Sequence, residues 1–412
     1  MLEALVLQEV GPGRKMSVQF APRLNFLTGD NGLGKSFVLD IAWWAMTRSW
    51  ARLPVVPHPP PAEPTIYYRY SQAGPGSFEY SSTFNRDTEQ WSVKQGRPAI
   101  PGLVLYAQVD GGFSVWDPAR NYWRGETPDR PACYPFTAQE VWNGNRHCEG
   151  LIRDWGSWQR EGGAAFSQLT TALQTLSPSP QEALLPGELR RISLDDPRKH
   201  PTLRLHGQDV AVVHASAGIQ RVVALAYLLV WAWQEHQAAC RLLGKAPSRE
   251  IIFLIDEIEA HLHPQWQRRI VPALLRVVGA LTGEQVAQVQ LLAVTHSPLV
   301  LASVEPYFQP DRDALFHLEV VEGQVCLREQ DWAKQGDVVN WLVSPSFGLE
   351  QGRSVDAERA LEAAEAWMRG DYDQLPESLR TREAIQAELE RVLAGHDAFW
   401  PRWVVCTGTT PK

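Results

Sequence analysis

The sequence predicts an α/β protein with a mixed-sheet core, and three stretches carry that expectation. Residues 29–36 read Gly-Asp-Asn-Gly-Leu-Gly-Lys-Ser, set between the apolar run Leu24-Asn25-Phe26-Leu27 and a helix-like stretch from Lys35 to Arg48. Residues 251–257, Ile-Ile-Phe-Leu-Ile-Asp-Glu, form an apolar strand that ends in two carboxylates. Gln288–Val294 reads as another strand, followed by Thr295-His296-Ser297-Pro298 and a further helix. Strands that alternate with helices around a glycine-rich loop imply a sheet whose functional groups gather at the carboxyl ends of its parallel strands.

In chain order, residues 1–28 read as a strand, a Gly11-Pro12-Gly13 turn and two more strands leading into residues 29–36. That string fits a phosphate-binding P-loop. Consecutive backbone amides must wrap a phosphate, glycines permit the approach, and the positive end of the next helix adds to it. Gly29, Asp30, Asn31, Gly32, Leu33, Gly34, Lys35, Ser36 and Phe37 are the expected nucleotide contacts, with Lys35 on the β- and γ-phosphates and the Ser36 hydroxyl on Mg²⁺. Residues 53–64 are too proline-rich for regular structure, and 65–120 read as antiparallel strands. Residues 137–176 read as helical, and 187–213 as a strand pair that includes Arg191-Ile192-Ser193-Leu194. A long helix follows Ser216, helices open at Pro264 and Pro298, a last strand lies in Leu315–Val321, and 331–400 turn mainly helical. The expected division is a head over 1–330, with an inserted β/helical segment at about 50–190, and a helical region over 331–412.

Composition sets outer bounds. A chain of 412 residues with 44% hydrophobic and 21% charged content is ordinary for a globular protein. The net charge of −8 gives no support for a dedicated polyanion-binding module, although a local basic patch is compatible with it. Cys133, Cys148, Cys240, Cys326 and Cys406 are scattered, which argues for a reducing compartment and against a disulfide framework. The start Met1-Leu2-Glu3-Ala4 does not read as a signal peptide, and the uncharged run Val222–Trp233 is too short to span a bilayer. The expected location is cytoplasmic, without a membrane partner. The 17 tryptophans read chiefly as packing residues.

The chemistry concentrates at the strand ends. An apolar strand buried on both faces delivers its terminal acids to the edge where the P-loop lies. Asp256 is expected to hold the Mg²⁺ shell and Glu257 to orient and activate an attacking water, the roles that phosphoryl transfer to water requires. Ser216 suits a helix N-cap, and Gly218 leaves amides open to an anion. Ser297 caps the helix that Pro298 begins, which places His296 at the same sheet edge. His261 and His263 are spaced too closely at a helix start to converge on a metal.

The order P-loop, Ser216-Ala217-Gly218, Asp256-Glu257, Thr295-His296-Ser297-Pro298 resembles the ABC-type ATPase heads of the SMC, RecF and OLD group. The resemblance implies a P-loop NTPase fold of ABC-ATPase-head type, with an antiparallel β subdomain and a helical C-terminal region. It also implies ATP and Mg²⁺ as ligands and a homodimer or higher even-numbered assembly. Ser216, Gly218 and Gln220 of one subunit would cap the ATP held by Lys35, Ser36, Asp256, Glu257 and His296 of the other. Gln108, after the strand Leu103–Tyr106, would sense Mg²⁺ and the water. The signature lacks the Leu-Ser-Gly-Gly-Gln of transporter ATPases, and no long coiled coil or Toprim-like acidic strand is present.

Further stretches, Phe113-Ser114-Val115-Trp116-Asp117-Pro118, Gly150-Leu151-Ile152-Arg153-Asp154-Trp155, Phe347-Gly348-Leu349 and His396–Trp403, resemble stand-alone bacterial ATPases of Septu and retron-associated anti-phage systems. Members often accompany an HNH-type nuclease, so a separate nuclease subunit is the implied partner, with Phe399–Trp403 as a docking element or as packing for its own helix tail. Nucleic acid is a further implied partner. Two functions follow: an ATP-gated sensor or regulator in anti-phage defence, or a DNA repair and recombination ATPase of RecF or SMC type.

Overall fold

The computed structural model describes residues 1–71, 76–93, 100–122, 131–283 and 288–408, in two compact units, Met1–Gly336 and Asp337–Lys412. In the first, an eight-stranded sheet runs β16-β15-β3-β14-β13-β7-β8-β9. Its strands are β3 (Leu24–Gly29), β7 (Leu103–Ala107), β8 (Phe113–Trp116), β9 (Tyr134–Phe136), β13 (Glu250–Ile255), β14 (Gln288–Val294), β15 (Asp313–Val321) and β16 (Gln324–Gln330). The five central strands, from β15 to β7, are mutually parallel, and the edges are antiparallel. This is the expected mixed-sheet α/β architecture.

The central strands are apolar along their length because both faces are covered. Helix α1 (Lys35–Thr47) lies over the face carrying Val104, Ile252, Leu254, Leu292 and Val294. From β13 the opposite face presents Phe253, whose ring meets Phe113 edge-on at 6.4 Å. The 26-residue helix α5 (Ala217–Leu242) holds the apolar run Val222–Trp233 and buries most of it. It packs with α4 (Ala164–Thr175), α7 (Ile270–Thr282), α2 (Ala138–Asn143) and α3 (Leu151–Glu161). Two shorter helices, α6 (Pro264–Gln267) and α8 (Pro298–Val304), both begin with proline at the first turn.

A second, antiparallel sheet runs β2-β1-β4-β5-β6, joining the N-terminal hairpin β1 (Leu2–Gln8) and β2 (Lys15–Gln19) to β4 (Thr65–Ser71), β5 (Ser77–Asn85) and β6 (Gln90–Trp91). Tyr68, Tyr70 and Tyr80 stack across it, and Trp44 of α1 meets Tyr68, Trp50 and Trp91. Many of the aromatic residues are therefore the seam between this sheet and the P-loop helix. Within residues 50–190, β4–β6 extend the N-terminal sheet, β7–β9 join the central one, and α2–α4 pack around α5.

Two local expectations are corrected. Arg191–Leu194 is not a strand; the Arg191 guanidinium donates to the carbonyls of Ser193, Leu194 and Asp196, which curls the chain into a loop. The small sheet there is β10 (Leu185–Pro186), β11 (Thr202–Leu205) and β12 (Gln208–Ala211). Residues 324–330 form β16, which pairs with β15 across a tight Glu322-Gly323 turn.

The second unit contains α9 (Val338–Leu342), α10 (Val355–Arg369), α11 (Arg382–Val392) and α12 (Trp400–Thr407). Alanines 357, 360, 363 and 364 give α10 a small-residue face, and Ile385, Leu389, Phe399, Trp400 and Trp403 fill against it. The Trp403 indole donates to Gln386, and that of Trp400 to the Ala394 carbonyl at 2.8 Å. Of the two readings of Phe399–Trp403, the packing one accounts for these rings, which belong to the unit's own core. Among the described residues, no helix is long and apolar enough to cross a membrane.

Candidate functional site

The P-loop leaves β3 and turns into α1 at Gly34, whose φ of 92° lies in the left-handed region. A Cβ there would stand 2.5 Å from Cγ of Pro12, in the Gly11-Pro12-Gly13 turn between β1 and β2. The turn therefore buttresses the loop, and glycine is required by both backbone and space. Asp30, Asn31 and Gly32 form the exposed crest, while Leu33, Ser36 and Phe37 are half-buried. Lys35 is buried, and its ammonium donates to the carbonyls of Gly29 at 2.9 Å and Asp30 at 2.7 Å. Burial lowers the Lys35 pKa, against the pull of Glu257 and Asp256.

The second half of the site comes from β13. Ser36 donates its hydroxyl to Oδ1 of Asp256 at 2.9 Å, joining P-loop and acidic strand directly. Asp256 is fully buried, and burial raises its pKa, opposed by Ser36 and Arg52. Its Oδ2 has no hydrogen-bond partner among the described residues. A buried anionic oxygen without a donor calls for a cation. Hydroxyl and carboxylate oxygens are the hard donors Mg²⁺ prefers, so Ser36 and Asp256 fit that ion and Lys35 fits the phosphates it accompanies. Glu257 follows at a φ of 47°, an unusual value for a residue with a side chain and one found at functional turns.

Register places Gln108 beside Asp256: Ala107 pairs with Ile255, and the Asp256 amide donates to the Ala107 carbonyl at 2.9 Å. The Gln108 side chain is turned into its own hairpin, donating to Ser114 at 3.1 Å, while the Gln108 backbone carbonyl accepts from Arg221 at 2.6 Å. His296 lies at the end of β14, where Ser297 caps α8. Its backbone is fixed by Glu259, which accepts from the His296 amide at 2.6 Å and from the Thr295 hydroxyl at 2.7 Å. Burial raises the Glu259 pKa. Glu259 lies far from Thr295 in the chain, so sequence reasoning does not find this contact.

Ser216, Gly218 and Gln220 open α5, whereas the P-loop helix packs under β1, β3, β7, β13 and β14. The Ser216 hydroxyl is exposed and makes no capping bond. Gly218 is buried, with its would-be Cβ 2.6 Å from the His261 carbonyl, so close packing rather than open amides accounts for it. The Gln220 side-chain amide donates to the Val213 carbonyl at 2.9 Å. His263 caps α6 through Nδ1, and neither it nor His261 belongs to a metal-holding group among the described residues.

One network was not legible beforehand. Asp40, one turn after Ser36 on α1, accepts from Arg52 at 3.1 and 2.8 Å and from the Tyr106 hydroxyl at 3.1 Å. Arg52 also donates to that hydroxyl at 3.2 Å, and its Nη1 stands 3.9 Å from Oδ2 of Asp256.

With this geometry in view, the family described as "AAA domain, putative AbiEii toxin, Type IV TA system" matches residues 153–302, the stretch containing Ser216, the acidic strand and His296. The chain is 32% identical over 114 residues to the Retron Vc95 probable ATPase of Vibrio cholerae serotype O1 biovar El Tor. It is 30% identical over 139 residues to the Septu protein PtuA of Bacillus mycoides (strain KBAB4). This chain is thus similar to that AAA-domain family over residues 153–302 and to these two proteins over shorter stretches. The matches cover 26% and 32% of it, and only 19% and 16% of the respective relatives. The SMC head domain of Thermotoga maritima superposes on 80% of this chain and 99% of its own, at a TM-score of 0.40 and 15% identity, too low to bear on function.

Proposed function

We propose that this chain binds ATP with Mg²⁺ and hydrolyses it. The observation that carries the reading is the Ser36–Asp256 bond at 2.9 Å beside a buried Asp256 oxygen lacking a donor, at the mouth of a glycine-rich loop. The Lys35 ammonium exchanges its two loop carbonyls for phosphate oxygens, and the amides of residues 32–36 hold the β-phosphate. Bound Mg²⁺ would neutralise charge on the β- and γ-phosphates. Glu257 accepts a proton as water attacks the γ-phosphorus; the bond to the bridging oxygen breaks, and ADP and phosphate leave. His296, held by Glu259, contacts the transferred group.

The finer reading is an ATP-gated dimer serving as sensor or regulator in a bacterial anti-phage system with a separate nuclease subunit, in the cytoplasm. The exposed, uncapped Ser216 supports a role for this serine toward a second chain, and the retron and Septu relatives support the defence setting. Phosphate release by the wild type, Lys35→Ala and Glu257→Gln tests the active site; undiminished release in both variants refutes it. Mass measurement of Glu257→Gln with and without ATP tests the dimer, and an unchanged monomer refutes it. Affinity purification with the neighbouring gene product tests the nuclease partner.

A further inference from the structure

The Asp40–Arg52–Tyr106 network lies outside the phosphate-binding and acidic motifs, yet it reaches the metal-side oxygen of Asp256. Arg52 is held from two sides. Its fork grips Asp40 at 3.1 and 2.8 Å, and Nη2 also donates to the Tyr106 hydroxyl at 3.2 Å. That hydroxyl donates in turn to Asp40. The guanidinium is thereby stopped with Nη1 at 3.9 Å from Oδ2 of Asp256, close enough to balance the carboxylate's charge and too far to hydrogen-bond it. Oδ2 stays buried without a donor.

We propose that Arg52 is a positioning residue for the metal site: a tethered cation that steadies Asp256 while leaving its Oδ2 open to Mg²⁺. Asp40 is the tether. It sits four residues after Ser36 on the same face of α1, so the tether and the metal-side hydroxyl move as one rigid piece. Tyr106 supplies the second support from β7, the strand paired with β13, and its fully buried ring fixes the hydroxyl. Untethered, the arginine would close on Oδ2 as an ordinary ion pair and compete with the metal. Removed, it would leave Asp40 and Asp256 without the counter-charge they share. The inference rests on the Mg²⁺-nucleotide reading of the site.

The test separates metal binding from nucleotide binding in the full chain. Fluorescent ATP analogue binding is titrated with Mg²⁺, and Mn²⁺ bound in the presence of a non-hydrolysable ATP analogue is counted by electron paramagnetic resonance. Arg52→Gln is expected to raise the Mg²⁺ requirement by about tenfold or more, as loss of outer-shell support does elsewhere. Its metal-free nucleotide affinity should remain within about twofold of wild type. Asp40→Asn should shift the Mg²⁺ requirement in the same direction by freeing Arg52. Arg52→Lys, which keeps the charge but loses the fork, should fall between wild type and Arg52→Gln. A folded Arg52→Gln protein with wild-type Mg²⁺ and Mn²⁺ dependence overturns the proposal. So does an equal loss of affinity with and without metal, which marks a general structural defect. Lys35→Ala is the separate control: if it binds the analogue as wild type does, the nucleotide reading itself fails.

Discussion

Asp154 offers a prediction whose size follows from the structure. It lies on α3, where its Oδ2 accepts the Tyr227 hydroxyl of α5 at 2.7 Å. Burial raises its pKa from 3.8 to about 6; the Tyr227 bond opposes the rise, and Glu149 and Glu235 add to it. The folded chain therefore holds this proton more tightly than the unfolded chain. The resulting stabilisation is present below pH 4 and is lost as pH rises through 6. A shift of about two units corresponds to at most about 3 kcal/mol. Asp154→Asn keeps an acceptor for Tyr227 and cannot ionise. Its stability relative to wild type should climb by up to about 3 kcal/mol between pH 4 and pH 7. Urea unfolding of both proteins, followed by tryptophan fluorescence across that range, measures the difference directly. A difference that is flat with pH would refute the argument that Asp154 is buried against its own charge.

Other expectations concern the loop, the strand end and the second unit. Glu259→Ala removes the acceptor for Thr295 and the His296 amide, and should cost turnover roughly five- to 150-fold, from about 1–3 kcal/mol for the stranded His296 amide, with ATP binding retained. Wild-type turnover would show that His296 is held by other means. Gly34→Ala must clear Pro12 and hold an unfavourable φ, so nucleotide binding should fall steeply in a titration; unchanged affinity would mean the turn yields freely. Trp403→Ala empties a fully buried site in the second unit and should destabilise it by about 3–5 kcal/mol. Normal stability with loss of a co-purifying protein would instead return that tryptophan to a docking role.

What the sequence made legible was what depends on local backbone chemistry. A glycine-rich loop, an apolar strand ending in acids and a serine–proline helix start each declare themselves within a few residues. Their meeting at one edge followed from parallel pairing, and the Ser36–Asp256 bond realises it. Side-chain contacts between distant segments were another matter. Neither Arg52 nor Asp40 belongs to a motif, and their relation to Asp256 depends on how the chain leaves α1. Pro12 read as a turn residue, yet its place is against Gly34. Arg191–Leu194 alternates like a strand, but the arginine satisfies loop carbonyls instead of leaving them for a ladder. The β15–β16 hairpin did carry a signal: Glu322-Gly323 both take positive φ, as a two-residue hairpin turn requires. Phe399–Trp403 show the converse limit, since residue type left docking and packing both open and the fold puts these rings in the unit's own core.

In the proposed function, Lys35 and Ser36 meet Asp256 and Glu257 to form a site that hydrolyses ATP. The most direct measurement is a paired determination of nucleotide affinity and single-turnover phosphate release with Mg²⁺ for wild type, Lys35→Ala and Glu257→Gln. Lys35→Ala should lose both, while Glu257→Gln should still bind ATP and no longer release phosphate. Phosphate release by both variants at the wild-type rate would contradict the proposed function.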